Sequence, residues 1–215
     1  MGFLRGVHCP PFPINGVDYC VVERPIEGEI VSGDAYVVMP TTGGLLIAVV
    51  DGLGHGSQAA VAAQVAIAVI EREADSSVLQ IMLRCHEELR ETRGAALSLA
   101  SLRAEGRTLE WLGVGNVQAG LLRADGIGRE FLLLRAGVVG YRLPPLQTSM
   151  FEIGRGDILV FATDGIRSSF WHDAPLRGSS RRIADDVFSR HAMKTDDALV
   201  LVARHTGFSP KASSQ

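Results

Sequence analysis

The chain has 215 residues, 47 % of them hydrophobic, and a formal net charge of -3 at pH 7. This length and composition are typical of a globular protein with one large core, or at most two small ones. With 21 basic against 24 acidic residues there is no bulk attraction to nucleic acid, and no apolar run reaches the about 20 residues that a membrane span needs. We therefore expect neither nucleic acid nor a membrane among its partners.

The cysteines Cys9, Cys20 and Cys85 are odd in number and lack the spacing of metal ligands. We expect all three to be reduced and mostly packed, which is typical of a cytoplasmic protein. The N-terminus also lacks the basic and then apolar pattern of a signal peptide.

Apolar runs in the first half of the chain predict a strand, a hairpin and two helices. Strands are expected over 18–24, 35–39 and 44–50, the last two forming the hairpin. The Ala-rich segment 57–72 is apolar nearly all round and predicts a buried helix, whereas 76–90 predicts an amphipathic helix.

From residue 95 the hydrophobic period changes to two, which is typical of antiparallel strands joined by the turns Glu105-Gly106 and Asp125-Gly126. The strands predicted there are 95–104, 107–114, 117–123, 129–134, a short pair within 139–152, 158–163 and, after a short helix at 181–190, 198–203. This order favours a single α+β domain over 1–206, with antiparallel sheets covered by helices. Residues 207–215 are polar and expected to be disordered.

The most apolar predicted strand ends at Asp51, which is followed by Gly52-Leu53-Gly54-His55-Gly56. An ionised carboxylate at the mouth of a buried strand costs desolvation free energy unless a cation or hydrogen-bond donors meet it. Gly52 has no Cβ, so its carbonyl can approach whatever Asp51 binds. Two other interpretations are a dinucleotide-binding turn and a capped turn without chemistry. The dinucleotide turn is disfavoured because Ser57 replaces its third glycine and Asp51 would face a pyrophosphate.

Further acids lie at the ends of other predicted strands, and the whole set is Asp34, Asp51, Asp164 and the pair Asp196-Asp197. Because antiparallel neighbours bring the start of one strand beside the end of the next, we expect Asp34 and Asp51 to meet at one rim. Convergent carboxylates repel one another unless a multivalent cation neutralises them. An all-oxygen donor set without a His/Cys cluster favours Mg²⁺ or Mn²⁺, and four or five carboxylates suit two ions about 3.5–4 Å apart.

These residues resemble the motifs of the SpoIIE branch of metal-dependent (type 2C) serine/threonine phosphatases. The matching segments, in order, are Ser32-Gly33-Asp34, Asp51-Gly52-Leu53-Gly54-His55-Gly56, Ala162-Thr163-Asp164-Gly165-Ile166 and Asp196-Asp197-Ala198. The resemblance implies two antiparallel sheets packed face to face with helices outside, an α-β-β-α sandwich.

The same resemblance implies a site that holds two Mn²⁺ or Mg²⁺ ions. Asp51 would bridge the ions and Gly52 would contribute its carbonyl oxygen. Asp34 would serve one ion, and Asp164 and Asp196 the other. Asp197 stands next to the last ligand and is a lesser candidate.

The resemblance further implies a cytoplasmic phosphatase that uses a water activated by two metals to hydrolyse phosphoserine or phosphothreonine in proteins. Many relatives carry Ala-Gly-His where this chain has Gly113-Val114-Gly115-Asn116-Val117, a change that removes no metal ligand. At this segment the chain is similar to single-domain members of the branch, which act on phosphorylated stressosome proteins of the STAS type. The alternative function is a catalytically silent phosphatase fold that binds a phosphoprotein or regulator.

Two residues near these motifs have open roles. His55 suits protonation of the leaving oxygen, because histidine titrates near neutral pH, or else it is a turn histidine bonded to the backbone. Asp157 lies in a turn of surface character, so we expect it to be dispensable for activity.

Segment 166–182 follows Asp164-Gly165 and is therefore expected to leave the rim of the site as a recognition loop. Its Arg167 and Arg177 could pair with substrate phosphate or carboxylates. Phe170 and Trp171 either anchor a bound protein or pin the loop to the core.

Overall fold

A computed structural model describes residues 5–105, 107–174 and 176–207. The expected α+β class and the α-β-β-α sandwich are both confirmed, because two antiparallel sheets pack face to face between helices. Of the predicted disordered tail, residues 208–215 lie outside the described residues.

The strands of the described chain are β1 (Gly6–His8), β2 (Val17–Arg24), β3 (Asp34–Thr41), β4 (Gly44–Gly52), β5 (Ala95–Arg103), β6 (Thr108–Val114), β7 (Gln118–Leu122), β8 (Arg129–Phe131), β9 (Ser149–Glu152), β10 (Ile158–Ala162) and β11 (Ala198–His205). The helices are α1 (Ser57–Arg72), α2 (Val78–Glu88), α3 (Phe170–Asp173) and α4 (Ser180–His191), with a 3-10 turn at Leu89–Glu91. One sheet has the order β1-β2-β11-β10-β7-β8 and the other β3-β4-β5-β6-β9.

Three apolar layers hold the sandwich together. The central layer, between the sheets, contains Trp111 and Phe161, both essentially inaccessible to solvent. A second layer lies under α1 and α2, and a third lies under α3 and α4. Along β4, Ile47 faces the central layer and Ala48 faces the helices, so the strand is buried on both sides. This double burial explains why β4 is a continuous apolar run rather than an alternating one.

The predicted strand pair within 139–152 is wrong in part. Only β9 is a strand there, and the preceding chain forms isolated bridges, one of them from Val139 to Ala95. Pro144 and Pro145 lack the backbone N–H that a sheet ladder needs, which explains the irregular path.

The expectation of three reduced cysteines is also wrong. Cys9 and Cys20 form a disulfide, because β1 pairs with β2 and brings the chain after β1 back across that strand. Cys85 is free and buried in α2, and burial raises the pKa of its thiol to about 12. The cysteine count therefore does not support the compartment inferred from it.

The expected surface character of Asp157 is wrong, because this residue is only 4 % exposed. That activity does not need it stays a prediction. Its carboxylate pairs with Arg123 at 2.9 Å and accepts the backbone N–H groups of Ala124 and Gly154, both at 2.9 Å. These bonds join two loops, so Asp157 has a structural role.

No helix in the described residues has the length and apolar character that crossing a membrane would require.

Candidate metal centre

The hairpin β3–β4 places two carboxylates opposite one another. Asp34 begins β3, Asp51 lies near the end of β4, and the antiparallel register pairs these two residues directly. Asp34 is buried and Asp51 is half-buried. The predicted meeting of these acids at one rim is confirmed.

The second sheet brings the remaining acids to the same rim. Asp164 follows the end of β10, and Asp196 and Asp197 precede the start of β11, which is the antiparallel neighbour of β10. The carboxyl groups of Asp51 and Asp164 lie close enough to perturb one another's pKa. Asp34 also lies within electrostatic range of Asp164 and Asp197, and Asp51 within range of Asp196. The structure thus brings all five sequence-predicted acids together.

Glycine follows two of these acids because main chain from elsewhere occupies the space of a Cβ. A Cβ on Gly52 would overlap the carbonyl oxygen of Ala59 in the first turn of α1. A Cβ on Gly165 would overlap the carbonyl oxygen of Asp197. Any larger residue at either position would require this main chain to move. The Gly52 N–H also donates to the Gly33 carbonyl at 3.0 Å, which ties the two motifs of the hairpin together.

Burial and mutual repulsion make these carboxylates hold their protons tightly. Burial, followed by the charge of Asp51, raises the pKa of Asp34 well above its usual value. Burial, followed by the charges of Asp164 and Asp196, raises the pKa of Asp51 to about 8. Burial and then Asp196 also raise the pKa of Asp164. A cation at this rim would relieve both the desolvation and the repulsion.

Two residues that sequence reasoning left without a role position these acids. Thr163 Oγ1 donates to Asp34 Oδ2 at 2.7 Å and accepts the Leu199 N–H at 2.9 Å. Asn116 Nδ2 donates to Asp164 Oδ2 at 2.6 Å. The signals were present in the sequence, because Thr163 lies inside a matched motif and Asn116 stands where the chain departs from the Ala-Gly-His of many relatives.

The neighbours Asp196 and Asp197 have different surroundings. Both oxygens of the buried Asp197 are engaged, since Oδ1 accepts the Ile26 N–H at 2.7 Å and Oδ2 the Gly33 N–H at 2.8 Å. Asp196 is half-buried, and the hydrogen bond recorded for its carboxylate comes from the N–H of Asp197. The geometry therefore favours the carboxylate of Asp196 as a metal ligand. Asp197 instead supports the loop that precedes Asp34.

His55 lies on the surface, in the turn between β4 and α1. Its Nδ1 is 3.3 Å from Glu29 Oε1, and no bond to the backbone is recorded for it within the described chain. The alternative of a backbone-bonded turn histidine therefore does not match the structure, and the acid role stays a prediction.

The aromatic pair in segment 166–182 is not an exposed docking anchor. Phe170 is fully buried and Trp171 is 5 % exposed, and both belong to the layer under α3 and α4. Trp171 Nε1 also donates to Gln118 Oε1 at 3.0 Å. The interpretation that these rings pin the loop to the core is confirmed, and docking through them is wrong.

The donor set fits a hard divalent cation by its chemistry, because it consists of carboxylates and a main-chain carbonyl. Among the described residues, no three His, Cys, Asp or Glu side chains form a ready-made cluster around one point. An ion held by Asp34, Asp51 or Asp164 would therefore need main-chain and water oxygens as further ligands. Mg²⁺ characteristically keeps several waters in its protein sites, so this partial ligand set suits it.

Comparison with known proteins agrees with this fold and donor set. A family model described as Stage II sporulation protein E (SpoIIE) matches residues 41–206. The phosphoserine phosphatase RsbX of Bacillus subtilis (strain 168) is 27 % identical over 140 residues, 65 % of this chain and 70 % of RsbX.

Solved structures show the same architecture. RsbX in complex with magnesium has a TM-score of 0.83 at 22 % identity, and the match covers 93 % of this chain and 99 % of that one. A chain of the structure described as "The bacterial stressosome: a modular system that has been adapted to control secondary messenger signaling" has a TM-score of 0.80 at 32 % identity, covering 87 % and 99 %. Because the family model spans most of the chain, the chain belongs to the SpoIIE family of PP2C-type serine/threonine phosphatases.

Proposed function

We propose that the protein is a metal-dependent phosphoprotein phosphatase that hydrolyses phosphoserine or phosphothreonine. The observation that carries this proposal is the convergence of five carboxylates from both sheets on one rim, where burial and repulsion disfavour their ionised forms unless a cation is present. Membership of the SpoIIE family and the similarity to a phosphoserine phosphatase support it.

Bound Mn²⁺ or Mg²⁺ would supply Lewis acidity and lower the pKa of water at this rim. Asp51 is our candidate for the shared ligand of two ions, because its carboxylate interacts electrostatically with acids of both sheets. The Gly52 carbonyl and Asp34 would complete one side, and Asp164 and Asp196 the other. Asp197 would act indirectly, by holding the loop that carries Gly33.

The protein's own side chains also orient this set. Thr163 fixes the Asp34 carboxylate from the opposite sheet, and Asn116 fixes that of Asp164. Such outer contacts hold ligands in position without touching the metal. His55, whose Nδ1 is 3.3 Å from Glu29 Oε1, would carry a proton to a departing serine or threonine oxygen.

We further propose that the substrate is a folded phosphoprotein of stress signalling, of the stressosome STAS type. The similarity to RsbX and to a stressosome structure supports this class. The chain also exposes apolar side chains in the loops that lead to the acids, with Ile30 96 % exposed, Val31 45 % and Leu53 36 %. Exposed apolar groups beside a polar site are typical of a surface that contacts another protein.

Phosphate release from a phosphorylated STAS-domain protein and from an aryl phosphate tests this function. We expect release from both with Mn²⁺ or Mg²⁺ and none with EDTA. The alternative, a silent binding module, would bind the phosphoprotein in a pull-down yet release no phosphate under any metal condition.

A further inference from the structure

A pocket opens in the six-stranded sheet, at the end that is remote from the acids. It is lined by Ile158, the first residue of β10, and by Leu122 and Arg204, which pair with Ile158 in the neighbouring strands. Asp164 lies beyond the other end of β10. Because a strand rises about 3.3 Å per residue, the four steps of β10 from Ile158 to Ala162 correspond to about 13 Å, and two further residues lead to Asp164. A phosphate at the acids therefore cannot reach this pocket.

The pocket combines an apolar floor with a basic rim. Its volume is about 610 Å³, within the roughly 300–1,000 Å³ of small-molecule sites. The floor consists of the buried side chains Leu122, Ile158, Ala174 and Leu176. The rim carries Arg123, Arg129, Arg177 and Arg204, and we call the whole the distal arginine pocket.

Neutral main-chain groups hold two of these guanidinium groups in place. Arg204 donates to the carbonyl of Gly156 at 3.3 Å and to that of Gly178. Arg129 donates to the carbonyl of Trp171. A carbonyl fixes the orientation of a guanidinium but does not cancel its charge, so both arginines remain electrostatically available.

The expectation that Arg177 pairs with substrate at the acidic rim is wrong, because this residue lines the distal arginine pocket, where it adds a third available charge. It makes no ion pair or hydrogen bond within the described part of the chain, and its guanidinium lies over the turn at Gly126. Of the four arginines only Arg123 is neutralised, through its ion pairs with Glu130 and Asp157.

One carboxylate, that of Asp125, also lines the pocket. Its Oδ1 accepts the N–H groups of Ile127 at 2.8 Å and Gly128 at 3.0 Å, so it is engaged in its own turn. Together with Glu130 and Asp157, which pair with Arg123, Asp125 makes three carboxylates against four guanidinium groups, so the pocket keeps a positive excess of one charge.

We propose that the distal arginine pocket binds a small organic phosphate, that is, a phosphate group attached to an aromatic or other apolar body. Guanidinium groups match phosphate oxygens with paired hydrogen bonds and stack on planar rings. The floor offers an apolar surface to the rest of the ligand. This site is separate from the metal centre and does not depend on the activity proposed there.

Isothermal titration calorimetry of the full chain in EDTA tests the proposal. The probes are AMP, phenyl phosphate and inorganic phosphate. EDTA removes the divalent ions that would let the carboxylate rim bind phosphate. We expect saturable binding of AMP or phenyl phosphate, and weaker binding of inorganic phosphate, which cannot use the floor. Arg177→Gln should weaken binding about tenfold or more, because a charge-assisted hydrogen bond contributes about 1.5–3 kcal/mol.

Arg90→Gln is the matched control, because Arg90 is an exposed arginine in the 3-10 turn on the other side of the sandwich. It should leave binding unchanged. Absence of binding by every probe would overturn the proposal, as would equal losses in the two variants. Equal affinity for inorganic phosphate would overturn the role of the apolar floor, and preference for a phosphopeptide over all three probes would overturn the ligand class. None of these outcomes bears on the phosphatase activity, which is measured with metal at the other end of the sheet.

Discussion

Thr163 Oγ1 donates a hydrogen bond of 2.7 Å to Asp34 Oδ2, and this bond joins the two sheets at the acidic rim. Thr163 follows β10 in one sheet and Asp34 begins β3 in the other. The same hydroxyl oxygen accepts the Leu199 N–H at 2.9 Å, so both of its hydrogen-bonding directions are fixed. The position of the Asp34 carboxylate therefore depends on how the sheets pack.

Thr163→Val tests this dependence, because valine has the shape of threonine but no hydroxyl. The change leaves Asp34 and the Leu199 N–H without a buried partner, which should reduce the free energy of unfolding by about 1–3 kcal/mol. It should also reduce Mn²⁺ affinity or activity by about 10- to 100-fold, the usual effect of losing an outer contact to a ligand. Urea unfolding and Mn²⁺ titration measure the two effects.

Thr163→Ser is the control, because it keeps the hydroxyl and should stay close to wild type in both assays. Wild-type metal affinity in a folded Thr163→Val protein would mean that the bond does not position Asp34.

The raised pKa of Asp51 predicts how the stability of the metal-free protein changes with pH. The pKa is about 8 in the folded chain and near the ordinary 3.8 in the unfolded chain, so between these values the folded state binds the proton more tightly. The free energy of unfolding should therefore fall as pH rises from about 4 to about 8 and level off above that. Thermal unfolding in EDTA across this range measures the slope.

Asp51→Asn should reduce that slope, because the amide does not titrate, and should raise the midpoint temperature of the metal-free protein at pH 8. Excess Mn²⁺ should also raise the midpoint temperature of the wild type at pH 8, because an ion that binds the folded state relieves the same desolvation and repulsion that a proton relieves. Identical slopes in wild type and Asp51→Asn would show that this carboxyl is not perturbed by its surroundings.

Asn116→Ala should shift the pH dependence of activity upward. The Asn116 amide lowers the pKa of Asp164 against the larger effect of burial, so its removal makes the carboxylate harder to ionise. We expect activity on an aryl phosphate to fall about 10- to 100-fold at neutral pH and to recover in part as pH rises. A loss of the same size at every pH would instead indicate that Asn116 acts on the substrate.

Substitutions of Asp196 and Asp197 should have different effects on stability and activity. Asp197→Asn places an amide NH₂ against one of two backbone donors, from Ile26 and Gly33, and should cost about 1–3 kcal/mol of stability. Asp196→Asn should not lower the unfolding midpoint, because it removes a charge that repels Asp51 and Asp164, and it should abolish activity. A stable, inactive Asp197→Asn protein beside an active Asp196→Asn protein would reverse the assignment.

Much of this site could be predicted from the sequence because hydrophobic period and strand order determine it. The run 44–50 is buried on both faces, so it reads as one strand, and its antiparallel pairing with 35–39 alone brings Asp34 beside Asp51. The convergence of Asp164 was predicted on other grounds, namely the cost of several carboxylates at the ends of apolar strands and the resemblance to the phosphatase motifs.

What the sequence could not predict depends on contacts between segments distant in the chain. Thr163 and Asn116 find their acids across 129 and 48 residues, respectively, and no local pattern encodes such pairs. The burial of Trp171 depends on contact with β7, where Gln118 Oε1 accepts a hydrogen bond from the indole N–H. The bond between Cys9 and Cys20 likewise depends on the return of the chain after β1, where no periodic pattern marks the pairing.

The most direct test of the metal centre is a Mn²⁺ titration of wild type and Asp51→Asn in which bound Mn²⁺ and phosphate release from a phosphoprotein are measured on the same preparations. We expect activity in the wild type to rise with the occupancy of two ions. Folded Asp51→Asn should lose both bound Mn²⁺ and activity, by more than the about 100-fold that outer contacts contribute. Near wild-type phosphate release by folded Asp51→Asn would contradict a centre in which Asp51 is the shared ligand.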